Sequence, residues 1–444
     1  MTKRTPVIFF GILIFLSLTT LAISQIERKA KDDLYSQIEL YSYALTTIQA
    51  DYVEEKEPKD LIYGSLRGML ATLDPHSQFL DPDEYKELKT ETQGKFGGLG
   101  IEISIRDGLL TIITPIEDTP AWNAGLKAGD RIVKIEDDLT KDITLNEAVK
   151  KLRGDPGSEI NITVLRESEF KILEFKINRE IIKIQDVKHT QILEDKIGFV
   201  RLTEFREESH KEIRKALNQL IDAGATALIL DLRNNPGGLL NIAIKISEEF
   251  LPEGQIIVST KGRRYSQNTI TKSANKDHLI DWPMVVLINE GSASGSEILA
   301  GALKDNKRAI ILGTKSFGKG SVQSVIPLPD GSGLRLTTSK YFTPSGESIH
   351  EKGIIPDIIV EPIYPEEAKE DDEEAKNGKK VEEVFNKLEE EATPNPDELI
   401  QSKREEEVRE RLLKDNQVLS AISVLKGIRV FKSFDEATTV SQAQ

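Results

Sequence analysis

The sequence contains no cysteine, and this absence removes several kinds of chemistry at once. Disulfide bonds, thiolate catalysis and cysteine-based metal sites are excluded, whereas an oxidising compartment would do the chain no harm. Histidine is scarce as well, since the chain has only five, and these form neither a close pair nor an H-E-x-x-H motif. They are His76, His189, His210, His278 and His350. We therefore predict no metal site and no cofactor.

Basic residues are also fewer than acidic ones. The 444 residues include 59 Lys and Arg against 74 Asp and Glu, which gives a formal net charge of −15. A broad nucleic-acid surface needs basic residues to neutralise phosphates, so we expect no nucleic-acid partner. Protein or small-molecule partners remain, and the length allows two or three domains.

One long apolar run stands out against this polar composition. It extends from residue 7 to residue 23, carries no charge and follows Lys3 and Arg4. A basic start followed by such a run is typical of an export signal. Residues 1–25 are therefore predicted to be a signal peptide cleaved before Gln25 or a membrane anchor, with a buried core helix as the remaining alternative. We expect the rest of the chain to be exported to the periplasm or cell envelope.

Residues 26–93 are predicted to form a helical region, because apolar residues recur there at helical spacing. The apolar positions are Leu34, Ile38, Tyr41, Leu45, Ile48, Leu61, Leu66, Met69 and Leu70. Asp-Pro pairs at residues 74–75 and 81–82 then indicate a loop and a new helix start.

Residues 94–180 change to glycine-punctuated strands around two short predicted helices, at residues 120–124 and 145–152. This part resembles a PDZ domain, on the strength of FGGLG at residues 96–100 and AGLKAGD at residues 124–130. In PDZ domains the backbone amides of the glycine-rich turn bind a peptide's C-terminal carboxylate, and the next strand pairs with the peptide. The peptide-binding residues that the resemblance implies are Phe96, Gly97, Gly98, Leu99, Gly100 and Ile101. A β-rich module whose glycines only form tight turns is the alternative.

Residues 181–362 alternate apolar strands with helices, which predicts an α/β domain. Strands are expected at residues 197–202, 227–232, 284–288 and 309–312, and helices at residues 210–223, 239–250 and 296–304. Ligands of such domains gather at the carboxyl ends of the strands. The polar sequences NNPGG, NEGSASG and GTKSFGKGS follow three of these strands.

The chain becomes strongly charged after residue 362. We predict a solvated, flexible segment over residues 363–414 and a helix within residues 415–444 that packs back on the fold. The apolar positions that predict this helix are Val418, Leu419, Ile422 and Leu425.

The loop GTKSFGKGS at residues 313–321 looks at first like a phosphate-binding loop. In such a loop a hydroxyl residue follows the lysine and a helix begins there. Here Gly320 follows Lys319, and the β-branched residues beyond it predict a strand that leads into a hairpin. The nucleotide-binding interpretation therefore fails, and Lys319 needs another role.

Ser294 lies in GSASGSE, between a predicted strand and the first turn of a predicted helix. Small neighbours allow a tight bend, and the helix amino terminus favours developing negative charge, as a nucleophile requires. Helix capping by these serines is the alternative. A serine nucleophile also needs a base, and no histidine has an obvious catalytic setting. Lys319 can be that base only if desolvation or a nearby positive charge lowers its pKa by roughly three units from about 10.4.

These motifs resemble those of the carboxyl-terminal processing peptidases, which are serine proteases of a Ser-Lys type. The resemblance extends over nearly the whole exported chain, through LDPHSQFL, the PDZ-like part, DLRNNPGG, GSASGSEILAGALKDN, GTKSFGKGSVQ and KGIIPDIIV. It implies an α/β catalytic core of the crotonase or Clp-protease kind, with Ser294 as nucleophile, Lys319 as general base and Gln323 as the residue that orients the lysine. The implied substrates are exported proteins with apolar C-terminal tails, and a homo-oligomer is an open alternative to a monomer.

Acyl transfer also requires hydrogen-bond donors for the oxyanion. The backbone amide of Gly295 is one candidate, and the second is expected from Gly237 or Gly238, where missing side chains allow a close approach. Gly295 stands where the family usually has alanine.

The resemblance therefore implies an exported serine endopeptidase that cuts proteins near their C-terminal tails, with the bound tail also controlling the active site. Two other readings stay open, namely a non-catalytic PDZ scaffold at the membrane and a serine hydrolase that depends on histidine. A scaffold has no need of Ser294, Lys319 and Gln323 together.

Overall fold

The computed structural model describes residues 34–363 and 406–442, except for residues 107, 117, 142, 167, 168, 277 and 278. The predicted signal segment and most of the predicted acidic segment lie outside the described residues. No helix within the described ranges is long and apolar enough to cross a membrane. The chain divides into two compact units, one made of residues up to Asp81 together with Ile326–Arg335, and the other of Pro82–Val325 together with the chain from Leu336 onward.

The first unit combines helices with a short strand pair. Its elements are α1 (residues 34–51), α2 (Pro58–Ala71), β1 (Gln78–Leu80) and the beginning of β18 (Gly333–Phe342). β1 pairs antiparallel with β18, from Gln78 opposite Arg335 to Leu80 opposite Gly333. The hydroxyl of Tyr63 on α2 donates to Asp330 at 2.8 Å. This bond ties the helix to the turn that precedes β18.

The two stretches with apolar helical spacing are helical in the structure. Most apolar side chains of α1 are nevertheless exposed, including Leu34, Ile38 and Ile48, whereas Leu45 is half-buried and Leu70 on α2 is buried. Helical spacing therefore predicted the helices α1 and α2, but it did not predict which of their apolar side chains are buried.

The second unit begins with a helix and a β-rich part that corresponds to the PDZ-like sequence. The elements are α3 (Pro82–Gln93), β2 (Lys95–Gly98), β3 (Ile101–Arg106), β4 (Leu109–Pro115), α4 (Pro120–Asn123), β5 (Arg131–Ile135), β6 (Asp138–Leu139), α5 (Leu145–Leu152), β7 (Glu159–Arg166), β8 (Lys171–Asn178) and β9 (Glu180–Lys183). An antiparallel sheet runs in the order β3-β4-β5-β7-β8, with β6 beside β5, and β2 pairs separately with β9. Ile112, Ile132 and Ile160 are fully buried in its core. β3 lies at the edge of this sheet.

The remainder of the second unit is the α/β part. Its elements are β10 (Val187–Ile192), β11 (Ile197–Leu202), α6 (Ser209–Asp222), β12 (Ala227–Asp231), α7 (Leu240–Glu248), β13 (Ile256–Gly262), β14 (Thr269–Lys272), β15 (Met284–Ile288), α8 (Gly295–Asp305), β16 (Ile310–Gly313), β17 (Ser321–Pro327), most of β18, and β19 (Ile358–Ile359). The main sheet has the order β10-β11-β12-β15-β16-β19 and is parallel apart from the β10–β11 pair. The predicted strands and helices occur at their expected places, with ends that differ by one or two residues.

A second sheet contains the strand that follows Lys319. β17 pairs with β18, and β13 pairs with both β14 and the later residues of β18. Because a strand follows Lys319 and a phosphate-binding loop would require a helix there, the structure agrees with the rejection of the nucleotide-binding interpretation.

A terminal helix covers one face of the main sheet. After α9 (residues 406–412), α10 (Asn416–Gln442) begins, and side chains are described as far as residue 431. Buried residues of this segment pack with sheet residues that include Phe199, Ile229 and Val285. The buried residues are Leu412, Val418, Ala421, Ile422 and Leu425. Leu419 is different, because 41% of its surface is exposed. Of the four apolar positions that predicted the helix, three therefore face the sheet.

The packing of α10 can be tested by shortening one buried and one exposed leucine. We expect Leu425→Ala to lower the free energy of unfolding of the α/β part by about 2–4 kcal/mol, because Leu425 is fully buried against the sheet. Leu419→Ala should lower it by less than about 1 kcal/mol. Urea titration followed by the fluorescence of Trp282, in a Trp122→Phe background, measures both values. Equal losses in the two variants would contradict the packing of Leu425.

Candidate active site

Three loops meet at one edge of the main sheet. Leu230 of β12 lies opposite Val286 of β15, and Ile288 of β15 lies opposite Gly313 of β16, with both pairs parallel. Parallel neighbours end at the same edge, so the loops that follow them are adjacent. These loops carry the predicted oxyanion glycines, the predicted nucleophile and the predicted lysine base.

Ser294 occupies a strained turn directly before α8. Its φ is 50° and its ψ is −108°, a conformation that residues with side chains rarely adopt, and only 8% of its surface is exposed. The neighbouring serines bind carbonyl groups, because Ser292 Oγ donates to Leu232 O at 2.8 Å and Ser296 Oγ donates to Asn235 O at 2.9 Å. These two hydrogen bonds therefore hold the turn in place on both sides of Ser294. Such strain at a nearly buried hydroxyl is typical of a functional residue.

The glycines of NNPGG lie against this turn, with no room for side chains. A Cβ atom on Gly237 would lie 2.6 Å from Gly295 N and 2.8 Å from Ser294 Cβ, and one on Gly238 would lie 2.3 Å from Phe205 O. Both glycines also have positive φ, 97° and 142°. Glycine is thus required here by close approach and by conformation alike.

The amides of this region differ in what they already bind. Gly237 N donates to Asn235 Oδ1 at 2.9 Å. Within residues 34–363 and 406–442, the amides of Gly238 and Gly295 donate no hydrogen bond to another described residue. These two N–H groups are therefore open to a ligand.

Asn235 links the glycine turn to the nucleophile turn. This residue is fully buried. Its side-chain nitrogen donates to Leu202 O at 2.8 Å, and its backbone oxygen accepts a bond from Ala293 N at 3.0 Å. Together with the bond from Gly237, these contacts use both ends of the amide. Asn235 was not among the sequence-predicted site residues.

Glu297 is the second residue that sequence reasoning missed, and it joins the nucleophile turn to the lysine loop. Its carboxylate is fully buried in the first turn of α8 and accepts four hydrogen bonds. The donors are Ser294 N at 2.8 Å, Ser316 Oγ at 2.6 Å, Gly318 N at 2.7 Å and Lys319 N at 2.9 Å. Burial raises the pKa of Glu297, and the four donors oppose this rise because they favour the ionised form. The spacing S-x-x-E from Ser294 to Glu297 is that of a capping box and could have identified the residue.

Lys319 is brought beside the nucleophile turn by this carboxylate, and its side chain is half-buried. Gln323 lies on the following strand, β17. Its amide nitrogen donates to Ser321 Oγ at 2.8 Å and makes a longer contact of 3.5 Å with Thr337 Oγ1. These bonds fix the plane of the amide, whereas its role in orienting Lys319 stays a prediction.

His350 also lies next to the lysine loop. A Cβ atom on Gly320 would lie 2.2 Å from His350 N, and Glu351 N donates to Gly318 O at 2.8 Å. By contrast, His210 Nε2 lies 2.6 Å from Glu249 Oε1. Among the described residues no group of histidines and carboxylates has the arrangement of a metal site.

The predicted peptide-binding residues fall into two groups. Phe96, Gly97 and Gly98 form strand β2, which pairs with β9, so this segment is a strand where a turn was expected. Its pairing partner at residues 180–183 lies far along the sequence, and local glycine content could not reveal it. Leu99 and Gly100 form the turn itself, with Gly100 at φ 79°, and Ile101 begins the edge strand β3.

Known proteins share this sequence organisation. The profile of peptidase family S41 matches residues 196–360, and that of a PDZ domain matches residues 111–166. A carboxy-terminal-processing protease of Bartonella bacilliformis is 43% identical over 370 residues, which cover 82% of this chain and 84% of that protein. A carboxyl-terminal-processing protease of Synechocystis is 40% identical over 306 residues, 67% of this chain and 71% of that one. The carboxy-terminal processing protease CtpA of Bacillus subtilis is 34% identical over 367 residues, 81% and 78% of the two chains. These similarities confirm the predicted family resemblance.

The importance of Glu297 can be tested by neutralising it. In Glu297→Gln, one of the two carboxylate oxygens becomes an NH₂ group that faces donors, so two buried N–H or O–H groups lose their acceptor. We expect the kcat of peptide hydrolysis to fall at least about tenfold. The matched control is Glu290→Gln, since Glu290 is exposed in the loop before α8, and it should leave kcat within about twofold.

The pH dependence gives a second test of Glu297. Burial raises the pKa of Glu297, so this carboxylate takes up a proton at a higher pH than an ordinary glutamate does, and the acceptor is lost as the pH falls. If Lys319 must also be deprotonated, log(kcat/KM) of the wild type should approach a slope of about two at acidic pH, and that of Glu297→Gln a slope of about one. Equal slopes for both proteins would contradict the role of the ionised carboxylate.

Proposed function

The chain belongs to peptidase family S41 and is a serine-type C-terminal processing protease, and we propose that it works by a Ser-Lys mechanism. The observation that carries the proposal is the meeting of three loops at one sheet edge, where Glu297 accepts bonds from both the Ser294 amide and the Lys319 amide. The substrates are proteins, and we propose that they carry accessible apolar tails.

In the first half of the reaction, Lys319 Nζ accepts the proton of Ser294 Oγ while that oxygen bonds to the carbonyl carbon of the scissile peptide. The resulting tetrahedral intermediate collapses when the C–N bond breaks, and Lys319 returns the proton to the leaving amine. Water then attacks the ester on Ser294 with Lys319 again as base, which releases the acid and restores the hydroxyl. Gln323 holds the ammonium group in the direction of Ser294.

The oxyanion of this intermediate needs two donors that point at the same place. We propose the amides of Gly295 and Gly238, because the amide of Gly237 already donates to Asn235. Gly237 then serves the site by its close approach to Ser294, and Asn235 keeps the two turns together.

The PDZ domain offers an edge strand for the substrate tail. β3 pairs with β4 on one side only. We propose that the tail adds as a further strand along β3, with its carboxylate at the turn of Leu99 and Gly100. Occupation of this site would shift the protease toward its active form.

The remaining proposals concern the whole protein. The apolar run at residues 7–23 supports export to the periplasm or cell envelope, with or without retention as a membrane anchor. The apolar side chains exposed on α1 support self-association. The parallel sheet with helices supports a crotonase-like or Clp-like catalytic core.

A histidine-dependent mechanism is the second candidate, and the position of His350 beside Gly320 is the observation that favours it. In that mechanism His350 would accept the serine proton and Lys319 would only bind substrate.

The two mechanisms are separated by three substitutions in the full chain, tested on an unfolded protein with an apolar tail. We expect Ser294→Ala and Lys319→Ala each to lower kcat by roughly a thousandfold or more, because each removes a reacting group. His350→Ala should leave most of the activity. Loss in His350→Ala with activity kept in Lys319→Ala would establish the histidine mechanism, and urea-unfolding midpoints of the α/β part that match the wild type in all three variants exclude unfolding as the cause.

Tail capture is tested with a peptide that ends in an apolar residue and a free carboxylate. The same peptide with an amidated C-terminus serves as the comparison. It should bind to the Ser294→Ala protein at least about tenfold more weakly than the free-carboxylate peptide, because it lacks the charge that the backbone N–H groups bind. Calorimetric titration measures both affinities. Equal affinities would contradict carboxylate recognition and leave the Ser-Lys mechanism untouched.

A further inference from the structure

Arg206 lies in the loop between β11 and α6, and only 15% of its side chain is exposed. Its guanidinium donates to three acceptors in different parts of the chain. Nε donates to Glu91 O at 3.1 Å, and the two terminal nitrogens bind the carboxylates of Asp186 and Glu204. Arg206 contacts neither a proposed reacting group nor a proposed tail-binding residue.

Two of these acceptors lie on the two chain segments that connect the PDZ domain to the α/β part. Glu91 belongs to α3, which leads into the domain, and Asp186 follows β9, which leads out of it. Asp186 is 1% exposed and also accepts a bond from Ser209 Oγ at 2.6 Å. Gly94 on the incoming segment is so close that a Cβ atom there would lie 2.9 Å from Arg206 Cδ. One guanidinium therefore holds both connecting segments.

The residue before Arg206 contacts the catalytic loops directly. Phe205 N donates to Gly237 O at 2.8 Å, and Phe205 O accepts a bond from Leu239 N at 2.7 Å. The ring of Phe205 lies beside Gly295, where an added Cβ atom would approach it to 3.2 Å. A shift of residues 205 and 206 must therefore move the glycine turn and the proposed oxyanion donors with it, because packed cores transmit such shifts.

We propose that Arg206 is a positioning residue that couples the PDZ domain to the oxyanion turn. The inference rests on the proposed function, since it assumes that a bound tail activates cleavage. A tail on the PDZ domain alters the connecting segments at Glu91 and Asp186, Arg206 carries this change to Phe205, and Phe205 sets the place of Gly237 and Gly238. The planar guanidinium suits this role because it binds three acceptors in fixed directions, as an ammonium group does not.

The test compares a tailed with a tailless version of one unfolded substrate, cut by the full chain. For the wild type the tailed version should have the higher kcat. In Arg206→Gln the ratio of the two kcat values should fall at least about fivefold, the low end of usual coupling between sites, while the Kd of the tail peptide stays within about twofold. In Arg206→Lys the ratio of the two kcat values should also fall. This variant is used in place of Arg206→Gln if Arg206→Gln does not fold because Asp186 is left buried and unpaired. The matched control is Lys95→Gln, which removes the half-exposed contact of 3.3 Å between Lys95 and Glu208 at the same junction and should leave the ratio unchanged.

Amide hydrogen exchange gives a readout that does not need turnover. Adding the tail peptide to Ser294→Ala should change the protection of residues 203–206 and 237–239, and adding it to Ser294→Ala/Arg206→Gln should leave the protection of residues 237–239 unchanged. If the Arg206 variants keep both the wild-type kcat ratio and the tail-induced change in exchange at the glycine turn, the proposal is overturned while the Ser-Lys mechanism stands. A wild type that cuts both substrates equally would overturn the coupling altogether, and a wild type that cuts neither would overturn the proposed function.

Discussion

Four hydrogen bonds to the buried carboxylate of Glu297 hold the active-site loops in place. A buried negative charge is unfavourable unless its oxygens are satisfied, and here every bond comes from the nucleophile turn or the lysine loop. The position of Glu297 in the first turn of α8 adds the favourable field of the helix amino terminus. The loops and the carboxylate therefore stabilise one another, since the charge can stay buried only while both loops are folded around it.

The rest of the site consists of polar loops that begin at the ends of rigid, apolar strands. The strands β11, β12 and β15 are almost wholly buried, so their carboxyl ends are fixed points from which the loops start. Asn235 and Phe205 then set the distances between loops through backbone contacts. Neither residue has a side chain that could react, but both place the groups that can. Small residues are required where these loops approach most closely, as at Gly237 and Gly238.

Much of this arrangement could be read from the sequence, for a physical reason. Stretches such as ALIL at residues 227–230 and MVVLI at residues 284–288 are continuous apolar runs that only a buried sheet accommodates, and parallel strands bring their following loops to one edge. Ser294, Lys319 and the two glycines were therefore predictable as neighbours. The S-x-x-E spacing indicates Glu297 as a cap for Ser294, but its bonds to Ser316, Gly318 and Lys319 come from residues that are distant in sequence, so its link to the lysine loop was missed. The pairing of β2 with β9 was missed for the same reason, since nothing in the local sequence at residues 96–98 indicates a partner strand at residues 180–183. The helix α1 shows another limit of sequence reasoning. Apolar periodicity predicts the helix but does not predict whether its apolar side chains are buried.

Side-chain hydrogen bonds join the two ends of the charged stretch between the catalytic part and α10. Asn416 Oδ1 accepts a bond from Ile363 N at 2.9 Å, and Asn416 Nδ2 donates to Glu361 O at 2.8 Å. Nearby, Arg233 at the end of β12 binds both Asp415 and Gln417. These bonds hold residues 361–363 beside residues 415–417. Closing a longer loop between fixed ends adds only about 0.6 kcal/mol for each doubling of its length. This part of the protein can consequently gain or lose many residues in evolution, or accept an inserted module, with little effect on the geometry of the active site.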